Sequence, residues 1–168
     1  MKKTIIDLFE DSVVKYGAKT FLLEKKHRAF EPTTYAETKE QALEIGAGLA
    51  AAGIRPGDKV AILSEGCNAW ITSELGVFYA GAVSVPLSVK LEESNDLLFR
   101  MRHAEVRALF VSKYQLSKIR RIRAELPQVE HIIVIGHIPL EAGETALGTL
   151  RRMGRDYLAA NREEFLAI

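Results

Sequence analysis

Cys67 is the only cysteine of the chain, and its thiol is the strongest potential nucleophile. It follows the apolar run 60–63, past the carboxyl end of a predicted strand, where open α/β folds bind ligands. No histidine or helix-borne cation adjoins it in the sequence, so no neighbouring group that would activate the thiol is evident. The sequence favours an inert loop thiol, with a nucleophile as the alternative. A single cysteine cannot form an internal disulfide, which fits a reducing cytoplasm.

A run of cations could contact phosphates or lipid headgroups. Its members are predicted to share one helix and are Lys113, Lys118, Arg120, Arg121 and Arg123. A solvated helix face is the usual explanation of such a run, and only Tyr114 could stack on a base. The formal net charge of +1 gives no overall attraction to nucleic acid. We therefore expect no nucleic-acid partner.

Two small-residue segments resemble nucleotide-binding motifs. Residues 46–51, GAGLAA, match the letters of a dinucleotide fingerprint but lie within a predicted helix, whereas the fingerprint must follow a strand. Small residues that let this helix lie close to a sheet explain the segment better. Residues 143–149 have two glycines and two threonines, but Glu144 opposes a phosphate and no lysine follows. His131 and His137 flank one predicted strand without metal-ligand spacing. We assign no catalytic, cofactor-binding or metal-binding residue.

A cluster of large apolar residues has two interpretations. These residues are Trp70, Ile71, Leu75, Phe78 and Tyr79. They could line an acyl-chain pocket, but the same helical spacing is typical of a face buried against a sheet. We favour the core interpretation, with Trp70, Leu75 and Phe78 in one core-facing stripe.

Strands and helices alternate through the centre of the chain. Apolar runs predict strands at 60–63, 83–85, 108–111 and 131–135, and helices at 69–79, 92–103 and 113–126. Asn68 is the expected N-cap of the first of these helices. Successive strands joined by helices predict parallel pairing. The fold class is α/β, a doubly wound, mostly parallel sheet with flanking helices and a small N-terminal hairpin.

Capping signals mark the N-terminal elements. Thr4 and Gly17 bound a predicted amphipathic helix, and Thr34 with Glu37 forms a capping-box signature for a second helix that Gly53 ends. Segments 20–24 and 29–35 form the predicted hairpin between these helices.

The pattern changes near residue 138. Residues 137–149 have little periodicity and are predicted as a loop, and residues 150–168 as a charged helix. We predict an α/β subdomain at 1–138, followed at 139–168 by a loop and terminal helix that lead toward a second subdomain. Acidic residues interrupt the N-terminal segment before any signal-peptide core, so the expected location is cytoplasmic, with peripheral membrane association left open.

Several segments together resemble the adenylate-forming acyl-CoA synthetases. The central motif is GIRPGDKVAILSEGCNAWITSELGVFYAGAVSVP at 53–86. Its matching positions are Gly57, Asp58, Val60, Asn68, Trp70, Ala80, Gly81, Ala82, Val83 and Pro86. TIIDLFEDSVVKYG resembles the opening helix of the long-chain enzymes, and LLFRMRHAEVRALFVS a later helix and strand. The likeness is to the N-terminal subdomain of a long-chain fatty acid CoA ligase.

The resemblance implies an ATP-dependent acid–thiol ligase that uses Mg and CoA. The family's phosphate loop, its later acidic and aromatic segment and its C-terminal lysine match nothing in this sequence, so no cofactor is expected to bind these residues alone. The implied partners are downstream subdomains, fatty acid, ATP and CoA. We also expect self-association, and a terminal segment 139–168 that is mobile or folded back. The alternative is a self-contained α/β module whose ligand crevice lies after Leu63, Val85 and Val111.

Overall fold

The N-terminal region consists of two helices and a hairpin. The computed structural model describes residues 3–167. The capping box predicted at Thr34 is present, and the predicted N-cap Thr4 forms a second one: the Thr4 and Thr34 hydroxyls accept hydrogen bonds from the N–H groups of Asp7 and Glu37. The predicted hairpin is antiparallel; its first strand is two residues longer than expected and its second one residue shorter, and the chain reverses at His27, whose φ is +54°. The elements are α1 (Ile5–Tyr16), β1 (Thr20–Lys26), β2 (Ala29–Thr34) and α2 (Tyr35–Ala51).

A parallel sheet of five strands forms the centre of the described region. Its order is β4-β3-β5-β6-β7, and every neighbouring pair is parallel, which confirms the parallel pairing predicted for the first four. The strands are β3 (Lys59–Leu63), β4 (Val83–Pro86), β5 (Val106–Ser112), β6 (His131–Ile135) and β7 (Glu144–Ala146).

The loop predicted at 137–149 is wrong in part, because it contains β7. Ile132 of β6 aligns with Glu144 of β7, and Val134 aligns with Ala146. The strand has only three residues, with a glutamate and a threonine among them, so it has no apolar pattern of its own. Its formation depends on the neighbouring strand.

The remaining helices cover both faces of the sheet; the first three connect strands, and the last follows β7. They are α3 (Asn68–Tyr79), α4 (Ser94–His103), α5 (Leu116–Ile122) and α6 (Leu147–Leu166). The helix predicted at 113–126 is shorter than expected and ends in a 3-10 turn at Arg123–Glu125. Asn68 is also not the N-cap: α3 begins with it, and its N–H donates to the Glu24 carboxylate across 3.3 Å.

Alternate residues of each strand face different helical layers. Ala61 and Leu63 of β3 pack with α4 and α5, whereas Val60 and Ile62 pack with α2, α3 and α6. All four side chains are fully buried, which accounts for the uninterrupted apolar sequence of this strand. The sheet therefore lies between two distinct hydrophobic layers.

Glycines bring α2, α3 and α6 into close contact. A methyl group at Gly46 would lie 2.7 Å from the carbonyl oxygen of Gly76 on α3. One at Gly48 would overlap the Leu150 carbonyl, and one at Gly154 would overlap the Glu44 carbonyl. The small residues of segment 46–51 thus allow close packing, but against the helices α3 and α6 and not against the sheet as predicted.

The last helix folds back along α2. Leu158 and Phe165 of α6 are buried in a cluster with Ala42, Leu43 and Ala47 of α2. Glu44 of α2 also forms ion pairs with Arg151 and Arg155 of α6. The terminal segment thus takes the second of its two expected forms, lying over an apolar face.

Candidate functional site

Three loops meet beyond the carboxyl ends of β3, β4 and β5. They comprise residues 64–67, 87–93 and 113–115, and correspond to the crevice considered for a self-contained module. The Leu87 N–H donates to the Ile62 carbonyl across 2.9 Å, which keeps the second loop next to β3 as it leaves the sheet. This edge is the usual ligand-binding position of a parallel sheet.

Lys118 is buried at this edge, and its predicted place on a solvated helix face is wrong. The residue is 9% exposed. Its Nζ donates to the carbonyl oxygens of Val89 and Leu91 at 2.9 and 3.1 Å, and to Glu92 Oε1 at 2.9 Å. Since an ammonium has three N–H groups, every donor of the side chain is used. The cation stabilises a loop of its own chain.

The other cations of the run separate in the fold. Arg120 forms a two-point contact with the Glu144 carboxylate, at 2.8 Å on each oxygen, and links α5 to β7. This contact holds the pKa of Glu144 below its ordinary value and raises that of Arg120. Lys113 lies 5.0 Å above the Tyr114 ring, while Arg121 is exposed. The five cations therefore do not form one anion-binding surface.

Glu65 and Gln115 connect two of the three loops. Gln115 Nε2 donates to Glu65 Oε1 across 2.6 Å, and the buried Ser112 hydroxyl lies near the same carboxylate. Burial opposes the charge of Glu65, but the polar groups of Ser112 and Gln115 outweigh it and lower its pKa. Sequence inspection missed this contact because the two residues are 50 positions apart.

Cys67 and the two histidines do not form a common site. Cys67 is half-buried and packs against the hydrophobic layer of α2 and α3. His131 begins β6 and His137 follows its end, so the strand separates them. Within residues 3–167, no group of three or more histidine, cysteine or acidic side chains could hold a metal ion.

A groove of about 800 Å³ lies between α1, α3 and α6, away from the three loops. Phe78 lines it and is only half-buried, as is Trp70, so two of the three residues predicted in a core stripe are incompletely buried. Leu75, at 8% exposure, fits the core prediction.

A polar contact crosses the base of this groove. Tyr79 Oη donates to Glu10 across 2.6 Å, and Lys39 Nζ contacts the other oxygen of that carboxylate at 2.6 Å. Burial, and then the hydrogen bond to Glu10, raise the pKa of Tyr79. The contact attaches α1 to α2 and α3.

The segment nearest to a phosphate loop does not fit a triphosphate. Gly143 lies in a turn, Glu144 accepts the guanidinium of Arg120, and Gly148 belongs to the first turn of α6. A triphosphate needs clustered N–H donors and a cation. In this segment the Glu144 carboxylate opposes a phosphate, and the neighbouring cation, Arg120, is already paired with it.

At the opposite edge of the sheet, an ion-pair network joins three strands. Arg107 contacts Glu130 through both Nη2 and Nε, at 2.7 and 3.1 Å, and contacts Asp58 at 2.5 Å. Its guanidinium lowers the pKa of Glu130. Sequence patterns offer no signal of this network, since its members lie on different strands or their connections. The arrangement joins β3, β5 and β6, and it pairs both carboxylates with the Arg107 guanidinium.

Comparisons with known proteins agree on one kind of protein. The profile of a family described as AMP-binding enzyme matches residues 9–162. A long-chain-fatty-acid–CoA ligase of Thermus thermophilus is 29% identical over 145 residues, which cover 84% of this chain and 27% of that protein. A chloroplastic long-chain-fatty-acid–[acyl-carrier-protein] ligase of Arabidopsis thaliana is 28% identical over 109 residues, covering 65% of this chain and 15% of that protein.

The similarity extends to solved structures. An anthranilate CoA ligase in complex with anthranoyl-AMP aligns with a TM-score of 0.80 and 28% identity, over 88% of this chain and 27% of that chain. The present chain therefore spans about a quarter or less of the length of these relatives. In residues 3–167, no helix is both long and apolar enough to cross a membrane.

Proposed function

The chain belongs to the AMP-binding enzyme family, and from this premise we propose that it is the N-terminal portion of an ATP-dependent acid–thiol ligase. The observation that carries the proposal is the family match over residues 9–162, supported by a fold that aligns with about a quarter of a complete CoA ligase. Such a ligase activates a carboxylic acid as its acyl adenylate and then transfers the acyl group to the thiol of CoA. ATP, Mg and CoA are the implied cofactors and substrates.

The residues of this chain contribute a scaffold rather than reacting groups. At the carboxyl edge of the sheet, Gln115 is hydrogen-bonded to Glu65, and Lys118 is hydrogen-bonded to loop 87–93. The segment around Gly143 does not fit a triphosphate. Phosphate charge is therefore handled by residues beyond those described here. The contribution of this portion is a rigid wall that positions later segments.

A fatty acid is the proposed acid substrate. Two similar proteins are named for long-chain fatty acids, from Thermus thermophilus and Arabidopsis thaliana. The aligned structure holds anthranoyl-AMP instead, so an aromatic acid is the competing substrate class. We propose that the ligase is cytoplasmic and that its downstream subdomains are the principal partners of this portion.

A chimera tests the proposal. Residues 3–167 replace the matched portion of the Thermus thermophilus ligase, and pyrophosphate release is measured with MgATP, CoA and either palmitate or anthranilate. We expect release that depends on palmitate, while the Thermus protein lacking this portion gives none. A chimera that folds, binds MgATP and releases no pyrophosphate with either acid would contradict the proposal.

The chain by itself provides a second test. We expect MgATP to bind no more tightly than millimolar, because the segment around Gly143 lacks clustered donors and a free lysine. Calorimetric titration measures this directly. Micromolar binding would instead favour a self-contained α/β binding module, and would place its site among the three loops at the carboxyl edge.

A further inference from the structure

The loop at 87–93 has no regular secondary structure, yet it is held against the body of the protein. Leu87 is 8% exposed, and Val89 and Leu91 pack against the hydrophobic layer formed by α4 and α5. Within the loop, the Leu91 N–H donates to the Ser88 carbonyl and the Lys90 N–H to the Ser88 hydroxyl. These short contacts bend the loop, but they do not attach it to a helix.

Lys118 supplies that attachment. Its ammonium lies among two backbone carbonyl oxygens and one carboxylate oxygen, all within 3.1 Å. Several carbonyl and carboxylate oxygens around one positive centre are also the surroundings that proteins give to bound cations. An unpaired buried ammonium would be strongly unfavourable, so the three oxygens and the cation require one another.

The residue just before α5 reaches a second loop. Gln115 accepts the Lys118 N–H at its carbonyl and donates through its side chain to Glu65 beyond β3. Gln115 and Lys118 together therefore contact the loops that follow both β3 and β4. The position of either loop depends on a side chain that lies later in the chain.

We propose that the Lys118 ammonium is a built-in cation that positions loop 87–93, and that removal of this side chain leaves a binding site for a primary alkylammonium ion. The proposal concerns the chain itself and stands whether or not the ligase function is correct. In a ligase, the same contact would make Lys118 a positioning residue for the edge of the sheet.

Hydrogen exchange tests the positioning role. In Lys118→Met, which retains the aliphatic length, amides of loop 87–93 should exchange about tenfold faster, because charged hydrogen bonds are lost. Lys90→Met is the matched control: it makes the same substitution within the loop, at an exposed side chain. It should change exchange by less than about twofold. Amides of β3 and β5 report whether the fold is intact.

Chemical rescue separates the charge from packing. In Lys118→Ala, added propylammonium, which matches the three carbons and the ammonium removed, should restore loop protection, whereas propanol at the same concentration should not. Restoration by propanol as well, or an unchanged loop in Lys118→Met, would overturn the proposal. Added propylammonium should also have no effect on the loop of the unmodified chain, where the site is filled.

A measurement on the unmodified chain keeps the proposal testable if the variants fail to fold. The side-chain ammonium protons of Lys118 should be visible by nuclear magnetic resonance and exchange with water about tenfold more slowly than those of Lys90, because three acceptors hold them. Equal exchange rates for the two lysines in the folded chain would refute a built-in cation.

Discussion

The helices on the two faces of the sheet are packed by different means. On the α4 and α5 face, branched side chains such as Leu109 and Ile119 fill the space between helix and strand. On the other face large side chains also contact the sheet, but Gly46, Gly48 and Gly154 let the backbones of α2, α3 and α6 approach one another directly. The first layer depends on side-chain volume, and the second depends also on its absence where the helices meet. We therefore predict that the α4 and α5 face tolerates the loss of a methyl group better than the α2, α3 and α6 face tolerates the addition of a methyl group.

The physical difference lies in what can move. A cavity next to aliphatic side chains is partly refilled when those side chains change rotamer. A methyl group that meets a backbone carbonyl can be accommodated only by shifting a whole helix. Glu44, whose carbonyl faces Gly154, also pairs with Arg151 and Arg155, so a helix shift would disturb these contacts as well.

The largest effect is expected for Gly154→Ala. The new methyl group would overlap the Glu44 carbonyl and force α6 away from α2, at a cost of about 3 kcal/mol in the free energy of unfolding. Chemical denaturation measures the loss. A loss below about 0.5 kcal/mol would show that the two helices are not in close contact.

Gly148→Ala is the matched control for that experiment. Gly148 lies in the same helix, and nothing lies within 4 Å of a methyl group placed there. Alanine favours a helix over glycine, so this variant should be neutral or more stable by up to about 1 kcal/mol. Destabilisation of both variants alike would break the link between the cost and the contact with α2.

A smaller effect is expected on the opposite face, for Ile119→Val. Ile119 is fully buried, and removal of one methyl group should cost about 1 kcal/mol. The same denaturation experiment compares this loss directly with that of Gly154→Ala. If the two substitutions cost the same, the proposed difference between the faces is wrong.

The smallest effect on stability is expected for the ion pair between Arg120 and Glu144, at the polar border of the α5 face, and this effect depends on pH. Arg120 lowers the folded-state pKa of Glu144, so this carboxylate adds stability above its ordinary pKa of about 4.3. That contribution is lost as pH falls through the lowered folded-state pKa. The stability difference between the unmodified chain and Glu144→Gln should therefore shrink on acidification below about pH 4. A difference that stays constant would exclude this ion pair as its source.

Much of the fold could be predicted because its signals are local. The apolar run at Val60, the glycine at residue 53 and the capping pair of Thr34 and Glu37 each specify a neighbouring element. The strand at Thr145 could not be found in this way, because only its partner β6 determines it.

The ligand edge was less predictable, because its contacts join distant parts of the sequence. Lys118 belongs to a charged run that is typical of an exposed helix face, and its hydrogen-bond acceptors lie 26 to 29 positions earlier in the sequence. Two of these acceptors are backbone carbonyls, which every residue possesses, so residue type gives no indication of them. Glu65 and Gln115 are similarly unremarkable until the fold brings them together.

The contact between α2 and α6 has a consequence for biosynthesis. Glu44 and Arg151, which join these helices, are separated by 107 positions. At a translation rate of about 5 to 20 residues per second, α2 leaves the ribosome about 5 to 20 seconds before its partner. Throughout that interval the side of α2 around Glu44 and Gly48 lacks the helix that packs against it. The nascent chain thus carries one of its closely packed surfaces bare for several seconds, while chaperones can bind unfinished proteins.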